Sequence, residues 1–139
     1  MKFYLPQIIF ILPLAISSAA YCAEHRNDPC DSIEHSQQIL ECSTQNKIEA
    51  DNKLNEEYRT LIKKINLQYH ANKKLGTEYI ATIKDSQRAW IKLRDTNCVL
   101  EAFEIETGSQ AHTATINQCI ARMSSERTQY LKGIAPETL

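Results

Sequence analysis

The stretch SQRAWIKLRDTNC, residues 86–98, decides the fold predicted for this chain. If it is helical, Gln87, Trp90, Arg94 and Cys98 fall on one stripe, because they follow one another at spacings of 3, 4 and 4 residues. Most of that stripe is polar or charged, and a buried charge needs a partner of opposite sign. The stretch therefore predicts a second helix that offers a carboxylate to Arg94.

A second stripe with helical spacing lies upstream of this stretch. Its apolar members recur at spacings of 4, 4, 3 and 4 residues and are Ala50, Leu54, Tyr58, Leu61 and Ile65. Asp51 and Asn55 lie at the edge of the same stripe. The carboxylate of Asp51 is therefore the candidate partner for Arg94.

Helix-breaking residues are scarce in the middle of the chain. Residues 33–105 contain no proline, and the whole chain has only three glycines. We predict one helix over about 34–70 and a second over about 78–105. The intervening HANKKLGT is expected to break the pattern, with Gly76 as the stop and Thr77 as the cap of the next helix.

Two long helices joined by a short break are expected to pack as an antiparallel hairpin. With the turn centred near residues 72–74, the numbers of facing residues add up to about 145 to 147. Three polar or aromatic pairs then meet across the hairpin: Asp51 with Arg94, Asn55 with Trp90, and Tyr58 with Gln87. We interpret these six residues as a structural core, in which the planar guanidinium of Arg94 holds the Asp51 carboxylate with two hydrogen bonds. The alternative is that this ion pair faces a cleft and binds a ligand or catalyses a reaction.

The rest of the chain predicts a third helix. ETGSQ at residues 106–110 is typical of a turn, and apolar residues recur over about 112–132. A second apolar edge of the preceding helix, formed by Leu93, Leu100 and Phe103, is expected to face this third helix. Because no stretch alternates in the manner of a strand, the predicted fold is all-α, a long antiparallel helical hairpin plus a third helix, stapled by disulfides.

The beginning of the chain predicts export. MKFYLPQIIFILPLAISSAA places a lysine before an apolar run that ends in small residues, as secretory signals do. We expect a signal peptide within residues 1–22, cut after either Ala20 or Cys22, followed by a single helical domain over 23–139. We expect no lipid anchor at Cys22, because Tyr21 is bulky where lipoprotein signals need a small residue. The mature protein is expected to be periplasmic or secreted, without a stable membrane span.

The cysteines indicate both the compartment and the disulfide bonds; they are Cys22, Cys30, Cys42, Cys98 and Cys119. Because an exported chain meets an oxidising compartment, disulfides are expected. A cut after Cys22 leaves four cysteines with three possible pairings, and a cut before Cys22 leaves one thiol over. The hairpin numbering places Cys42 opposite about 103–105 rather than opposite Cys98, which favours the pairs 30–42 and 98–119. No cysteine or histidine spacing typical of a metal site occurs, so we expect neither a metal nor a cofactor.

The charge balance argues against one class of partner. Removing residues 1–20 takes away only Lys2 among the charged residues, which leaves 15 basic residues (16 minus 1) against 17 acidic ones. A nucleic-acid partner is not expected, because such proteins carry a strongly basic face. No Ser/His/Asp set, metal motif or phosphate loop stands out, so we expect a binding protein rather than an enzyme.

Three segments together resemble a known family. DNKLNEEY at residues 51–58, QRAWIKLRDTNC at 87–98 and CIARMSSERTQYL at 119–131 are similar to the LprI-type family, the lysozyme inhibitor LprI-like domain, otherwise a bacterial exported domain of unknown function. The matching pattern residues are Asp51, Leu54, Asn55, Tyr58, Gln87, Trp90, Arg94, Asp95, Cys98, Cys119 and Arg127. The resemblance covers about residues 30–132 and implies an exported, all-helical, disulfide-bonded protein whose named relative inhibits lysozyme.

The resemblance makes a lysozyme-type muramidase, or another envelope protein, the expected partner. An inhibitor of a basic enzyme needs an acidic surface for electrostatic steering. The acidic residues and the adjoining loop that offer such a surface are Glu101, Glu104, Glu106, Ser109 and His112. The plainer interpretation is a solvated charge cluster at a helix end. The alternative function is a non-inhibitory envelope module that binds a protein, a peptide or a wall fragment.

Overall fold

Three long helices make up the part of the chain that the computed structural model describes, which is Cys30 and residues 33–134. They are α1 (Ser36–Gln68), α2 (Lys73–Glu101) and α3 (Gln110–Ile134). Within residues 33–134 there is no strand, and the all-α prediction is confirmed. None of these three helices combines the length and the apolar character that a membrane crossing requires. The predicted signal peptide and Cys22 lie outside the described residues.

The α1–α2 turn is shorter than predicted. α2 begins at Lys73, and its N-cap is Asn72, whose side-chain oxygen accepts a hydrogen bond from the backbone N–H of Leu75 at 3.2 Å. The prediction of Gly76 as a stop and Thr77 as a cap was wrong, because both residues lie inside α2. Gly76 instead lets Tyr69 pack closely against the backbone of α2. A Cβ atom at this position would lie only 2.9 Å from the Cβ of Tyr69.

The third helix runs parallel to α1 and packs against it more extensively than against α2. Three hydrogen-bonded pairs connect α1 to α3, each separated by 73 residues: Gln37 with Gln110, Thr44 with Asn117, and Asp51 with Ser124. Successive pairs are seven residues apart, which is the repeat of two helices packed side by side. Small buried residues let the two backbones approach, among them Ser43, Ala50, Ala114 and Ser124.

Two apolar clusters lie at opposite ends of the bundle. One is centred on Leu54, Leu61, Ile65, Ile83 and Leu131, with Tyr58 and Trp90 packed against it. The other surrounds the Cys98–Cys119 disulfide and includes Ile120. Both predicted disulfides are confirmed, Cys30–Cys42 and Cys98–Cys119, with sequence separations of 12 and 21 residues. Loops of this size stabilise the fold by about 3 kcal/mol each in the chain-entropy treatment.

The second apolar edge of α2 does not face α3, and that prediction was wrong. Leu93, Leu100 and Phe103 are 53%, 70% and 79% exposed. The physical reason is the position of α3, which the Cys98–Cys119 disulfide and the α1 contacts hold on another side of α2. These three side chains are therefore apolar surface rather than core.

The close approach at Gly76 generates a stability prediction. Gly76→Ala is expected to lower the free energy of unfolding by about 1–3 kcal/mol, because the added methyl collides with the rigid Cβ of Tyr69 and overpacking outweighs the gain in helix propensity. The measurement is urea denaturation followed by circular dichroism.

Gly133→Ala is the matched control, because a Cβ atom there meets nothing within 4 Å. It is expected to leave the stability unchanged or to raise it by up to about 1 kcal/mol. Equal stability of the two variants would contradict the packing role of Gly76.

Candidate functional site

A polar junction joins all three helices, near the midpoints of α1 and α3 and in the last third of α2. The Nη1 atom of Arg94 in α2 donates to Asp51 Oδ1 in α1 at 2.9 Å and to Ser124 Oγ in α3 at 3.1 Å. The hydroxyl of Ser124 donates in turn to the same Asp51 oxygen at 2.8 Å. The Arg94 side chain is 12% exposed and that of Asp51 is 33% exposed. The three helices thus share one partly buried ion pair, which we name the polar junction.

The guanidinium of Arg94 does not hold Asp51 with two hydrogen bonds, as the sequence predicted. Its Nε and Nη2 atoms both lie 2.9 Å from Asp95 Oδ1 on the same helix, and only Nη1 reaches across to Asp51. The reason is that Ser124 also approaches Asp51 and takes a share of the same carboxylate oxygen. One cation is therefore neutralised by two carboxylates, Asp51 and Asp95.

A second buried guanidinium, that of Arg127, lies beside the polar junction and makes no ion pair with any residue in 33–134. Its Nε donates to Gln87 Oε1 at 3.0 Å, and its Nη2 donates to Ser86 Oγ at 2.9 Å. Aromatic rings supply the rest of its surroundings, with Trp90 at 5.6 Å and Tyr130 at 4.7 Å from the guanidinium carbon. Burial lowers the pKa of Arg127, and Tyr130 opposes that shift.

The six residues predicted as a core divide into two groups. Asp51, Arg94, Gln87 and Trp90 belong to the hydrogen-bonded and cation–π network, where Arg94 lies 5.2 Å from the Trp90 ring. Tyr58 is half-buried against the apolar cluster. Asn55 is exposed, so its prediction as a core residue was wrong; the neighbouring Leu54 is the residue of α1 that turns into the core. Within residues 33–134 no group of acidic, histidine or cysteine side chains has the arrangement of a metal site.

Ser124, which completes the polar junction, was not among the residues predicted from the sequence. Hydropathy does not mark a serine as a core position, but its spacing does. Asn117, Ser124 and Leu131 recur at seven-residue intervals, and all three are buried against α1 or the apolar cluster. A search for repeats of seven that ignores polarity would have found this face of α3.

Two of the five residues predicted to contact a target have structural partners. Glu101 Oε1 lies 2.6 Å from Arg122 Nη2, and this carboxylate raises the pKa of the Arg122 guanidinium. Ser109 precedes α3, and its hydroxyl oxygen accepts a hydrogen bond from the backbone N–H of His112 at 3.1 Å, as a helix cap does. Glu104 and Glu106 are exposed and make no ion pair with any residue in the described part of the chain.

Apolar side chains stand next to these two free carboxylates. Phe103 and Leu100 are 79% and 70% exposed, at the end of α2 where the α2–α3 loop begins. We name Leu100, Phe103, Glu104 and Glu106 the loop surface. An exposed aromatic ring flanked by acidic groups is a composition suited to a protein interface.

The chain has relatives of known sequence and structure. The family model described as lysozyme inhibitor LprI matches residues 27–131. An uncharacterized protein of Rhizobium meliloti (strain 1021) is 31% identical over 99 residues, which cover 67% of this chain and 68% of that protein. The crystal structure of a DUF1311 family protein from Pseudomonas putida KT2440 is similar with a TM-score of 0.67 at 30% identity, covering 77% of this chain and all of that one.

The polar junction generates a stability prediction. Arg94→Ala is expected to lower the free energy of unfolding by about 2–3 kcal/mol, because the change strands Asp51 and Asp95 beside each other. The expected loss lies below that of a fully buried pair, since a third of Asp51 stays in contact with water. Urea denaturation measures it.

Arg122→Ala is the control, because it removes an arginine that also bridges two helices but lies at the surface. Little change in stability is expected for this variant. An Arg94→Ala protein as stable as the Arg122→Ala protein would show that the polar junction does not hold the helices together.

Proposed function

Because the family match covers most of its length, the chain belongs to the lysozyme inhibitor LprI family, and we propose that it is an exported protein that binds and inhibits a lysozyme-type muramidase. The observation that carries this proposal is the loop surface, at one end of the bundle, which combines apolar anchors with carboxylates that make no ion pair within residues 33–134. The two disulfides suit an oxidising compartment, so we place the protein in the periplasm or outside the cell.

The composition of the loop surface fits a basic partner. Glu104 and Glu106 have no internal cation to neutralise them among the described residues, so their field extends into solvent and attracts a positively charged enzyme. Phe103 is the most exposed large apolar side chain in that part of the chain. Aromatic residues that become buried at the centre of an interface commonly supply most of its binding free energy.

The α2–α3 loop is well ordered for such a contact. Backbone hydrogen bonds link Phe103 N–H to Leu100 at 3.2 Å, Ile105 N–H to Ala102 at 3.0 Å and Ser109 N–H to Glu106 at 3.1 Å. Gly108 turns the chain with a φ of 85°, a conformation that side chains other than glycine rarely adopt. The Cys98–Cys119 disulfide closes the base of the loop. A loop that is ordered before binding loses less conformational entropy on association.

We propose binding rather than catalysis, because the two carboxylates around Arg94 already have a partner. Asp51 and Asp95 both neutralise Arg94 and are held in the polar junction. A general acid or base needs a group that can exchange a proton with a substrate. Glu104 and Glu106 of the loop surface are exposed, and neither lines the cavities found between the helices within residues 33–134.

The sequence also left open a non-inhibitory envelope module that binds a protein, a peptide or a wall fragment. The loop surface is compatible with a protein ligand of either kind. Cell-wall lysis separates the two functions, because an inhibitor slows lysis whereas a simple binding module leaves it unchanged.

The inhibition proposal predicts the outcome of a turbidity assay with the purified mature protein. Wild-type protein is expected to slow muramidase-driven lysis of cell walls in a dose-dependent manner. Phe103→Ala is expected to weaken inhibition by about tenfold or more, as loss of an interface anchor does. The double variant Glu104→Gln/Glu106→Gln is expected to slow association and to reduce its dependence on salt.

Leu67→Ala is the control, because Leu67 is 74% exposed at the opposite end of the bundle. It is expected to inhibit as the wild type does. Undiminished lysis at a large molar excess of wild-type protein would refute inhibition of the enzyme tested, and equal effects of the Phe103 and Leu67 changes would refute the assigned surface.

A further inference from the structure

A groove opens between α1 and α2, away from the loop surface. Its volume is about 360 Å³, and it is lined by Asn55, Tyr58, Lys84, Gln87, Arg88 and Ile91. The groove exists because α1 and α2 make the smallest helix–helix interface of the bundle and meet through large side chains. This volume is within the range of small-molecule sites, near its lower end.

Several polar groups in the groove have no internal role. The amide of Asn55, the hydroxyl of Tyr58 and the ammonium of Lys84 make no hydrogen bond or ion pair with any residue the structure describes. Gln87 Oε1 accepts from Arg127 Nε, so that amide is fixed in orientation and keeps its own N–H donors available. Two helices therefore present free donors and acceptors to the groove, and the Gln87 amide among them is already fixed in place.

The positive charge of the groove favours an anionic ligand. Lys84 and Arg88 are both cationic, and the lining contains no acidic residue. Arg88 Nη1 lies 3.8 Å from Asp85 Oδ1, and both side chains are about four-fifths exposed, so this ion pair neutralises Arg88 only weakly. A ligand with a single carboxylate would therefore gain from both cations.

Phosphate is a poorer match for this groove than a carboxylated sugar. Proteins commonly bind phosphate through free backbone N–H groups at helix N-termini, whereas the groove lies along the middle of α1 and α2, where those groups are bonded within the helices. The neutral part of the groove combines side-chain amides with the apolar surfaces of Tyr58 and Ile91. Amides pair with hydroxyl or N-acetyl groups, and an aromatic face packs against the apolar face of a sugar ring.

We propose that the α1–α2 groove binds a carboxylated saccharide, with Lys84 and Arg88 on the carboxylate, Asn55 and Gln87 on the polar substituents, and Tyr58 against the ring. This site does not depend on muramidase inhibition, because none of its residues belongs to the loop surface. Muramic and uronic acid sugars share the required chemistry.

Isothermal titration calorimetry on the full mature protein tests this site. The probes are a disaccharide of N-acetylglucosamine and N-acetylmuramic acid, digalacturonate, and the neutral disaccharide chitobiose. An acidic disaccharide is expected to bind with a dissociation constant on the order of 0.1–1 mM, and chitobiose about tenfold more weakly. The stronger of the two acidic probes identifies the natural class of sugar.

Variants assign the binding to the groove. Lys84→Gln and Asn55→Ala are each expected to weaken binding about tenfold, and neither residue contributes to the core, since both are exposed. Lys92→Gln is the matched control, because Lys92 is an exposed lysine of α2 that does not line the groove. Failure of both acidic disaccharides to bind, equal binding of chitobiose, or equal effects of the Lys84 and Lys92 changes would overturn the proposal. None of these results bears on lysis inhibition.

Discussion

The guanidinium of Arg94 determines how the three helices are arranged. Since it is almost removed from water, its charge must be met by fixed partners, and those partners come from α1, α2 and α3 at once. The contacts between α1 and α3 repeat every seven residues, so small side chains alone would tolerate a slip by one repeat. Such a slip would place Asn117 or Leu131 against Asp51 instead of Ser124. The polar junction therefore specifies the register that the apolar contacts leave degenerate.

Much of this arrangement could be predicted from the spacing of residues in the sequence. The facing of Asp51 and Arg94 and the two disulfides come from the spacing of polar and cysteine residues in two long helices. The parallel packing of α3 on α1 does not, because that interface is built from Ser43, Ala50 and Ser124, which hydropathy treats as neutral. Gly76 was misassigned for a related reason. A glycine that ends a helix and a glycine that admits a neighbouring chain look the same in a sequence.

The loop surface, too, could be predicted only in part from the sequence. The cluster of acidic residues predicted a contact surface at the end of α2. The pairing of Glu101 with Arg122 and the capping of α3 by Ser109 could not be predicted, because they depend on how the helices pack. Helical periodicity assigned Phe103 to the core, and the structure leaves it exposed. An apolar residue at the edge of a helical stripe can belong either to the core or to a binding surface, and only the position of the next helix distinguishes them.

Both disulfides lie toward the same end of the bundle, where α1 begins, α2 ends and α3 begins. The opposite end depends on side-chain packing around Leu61, Ile65, Ile83 and Leu131, and on a weak 3.5 Å hydrogen bond from Tyr79 to the carbonyl of Ile134. Thermal fluctuations that separate the helices therefore begin at the α1–α2 turn and spread toward the cross-linked end. Local unfolding thus separates the helices at the α1–α2 turn, while the disulfides hold them together at the other end. Amide protons near the turn are therefore expected to exchange with solvent soonest, and the segment that carries Phe103 stays folded.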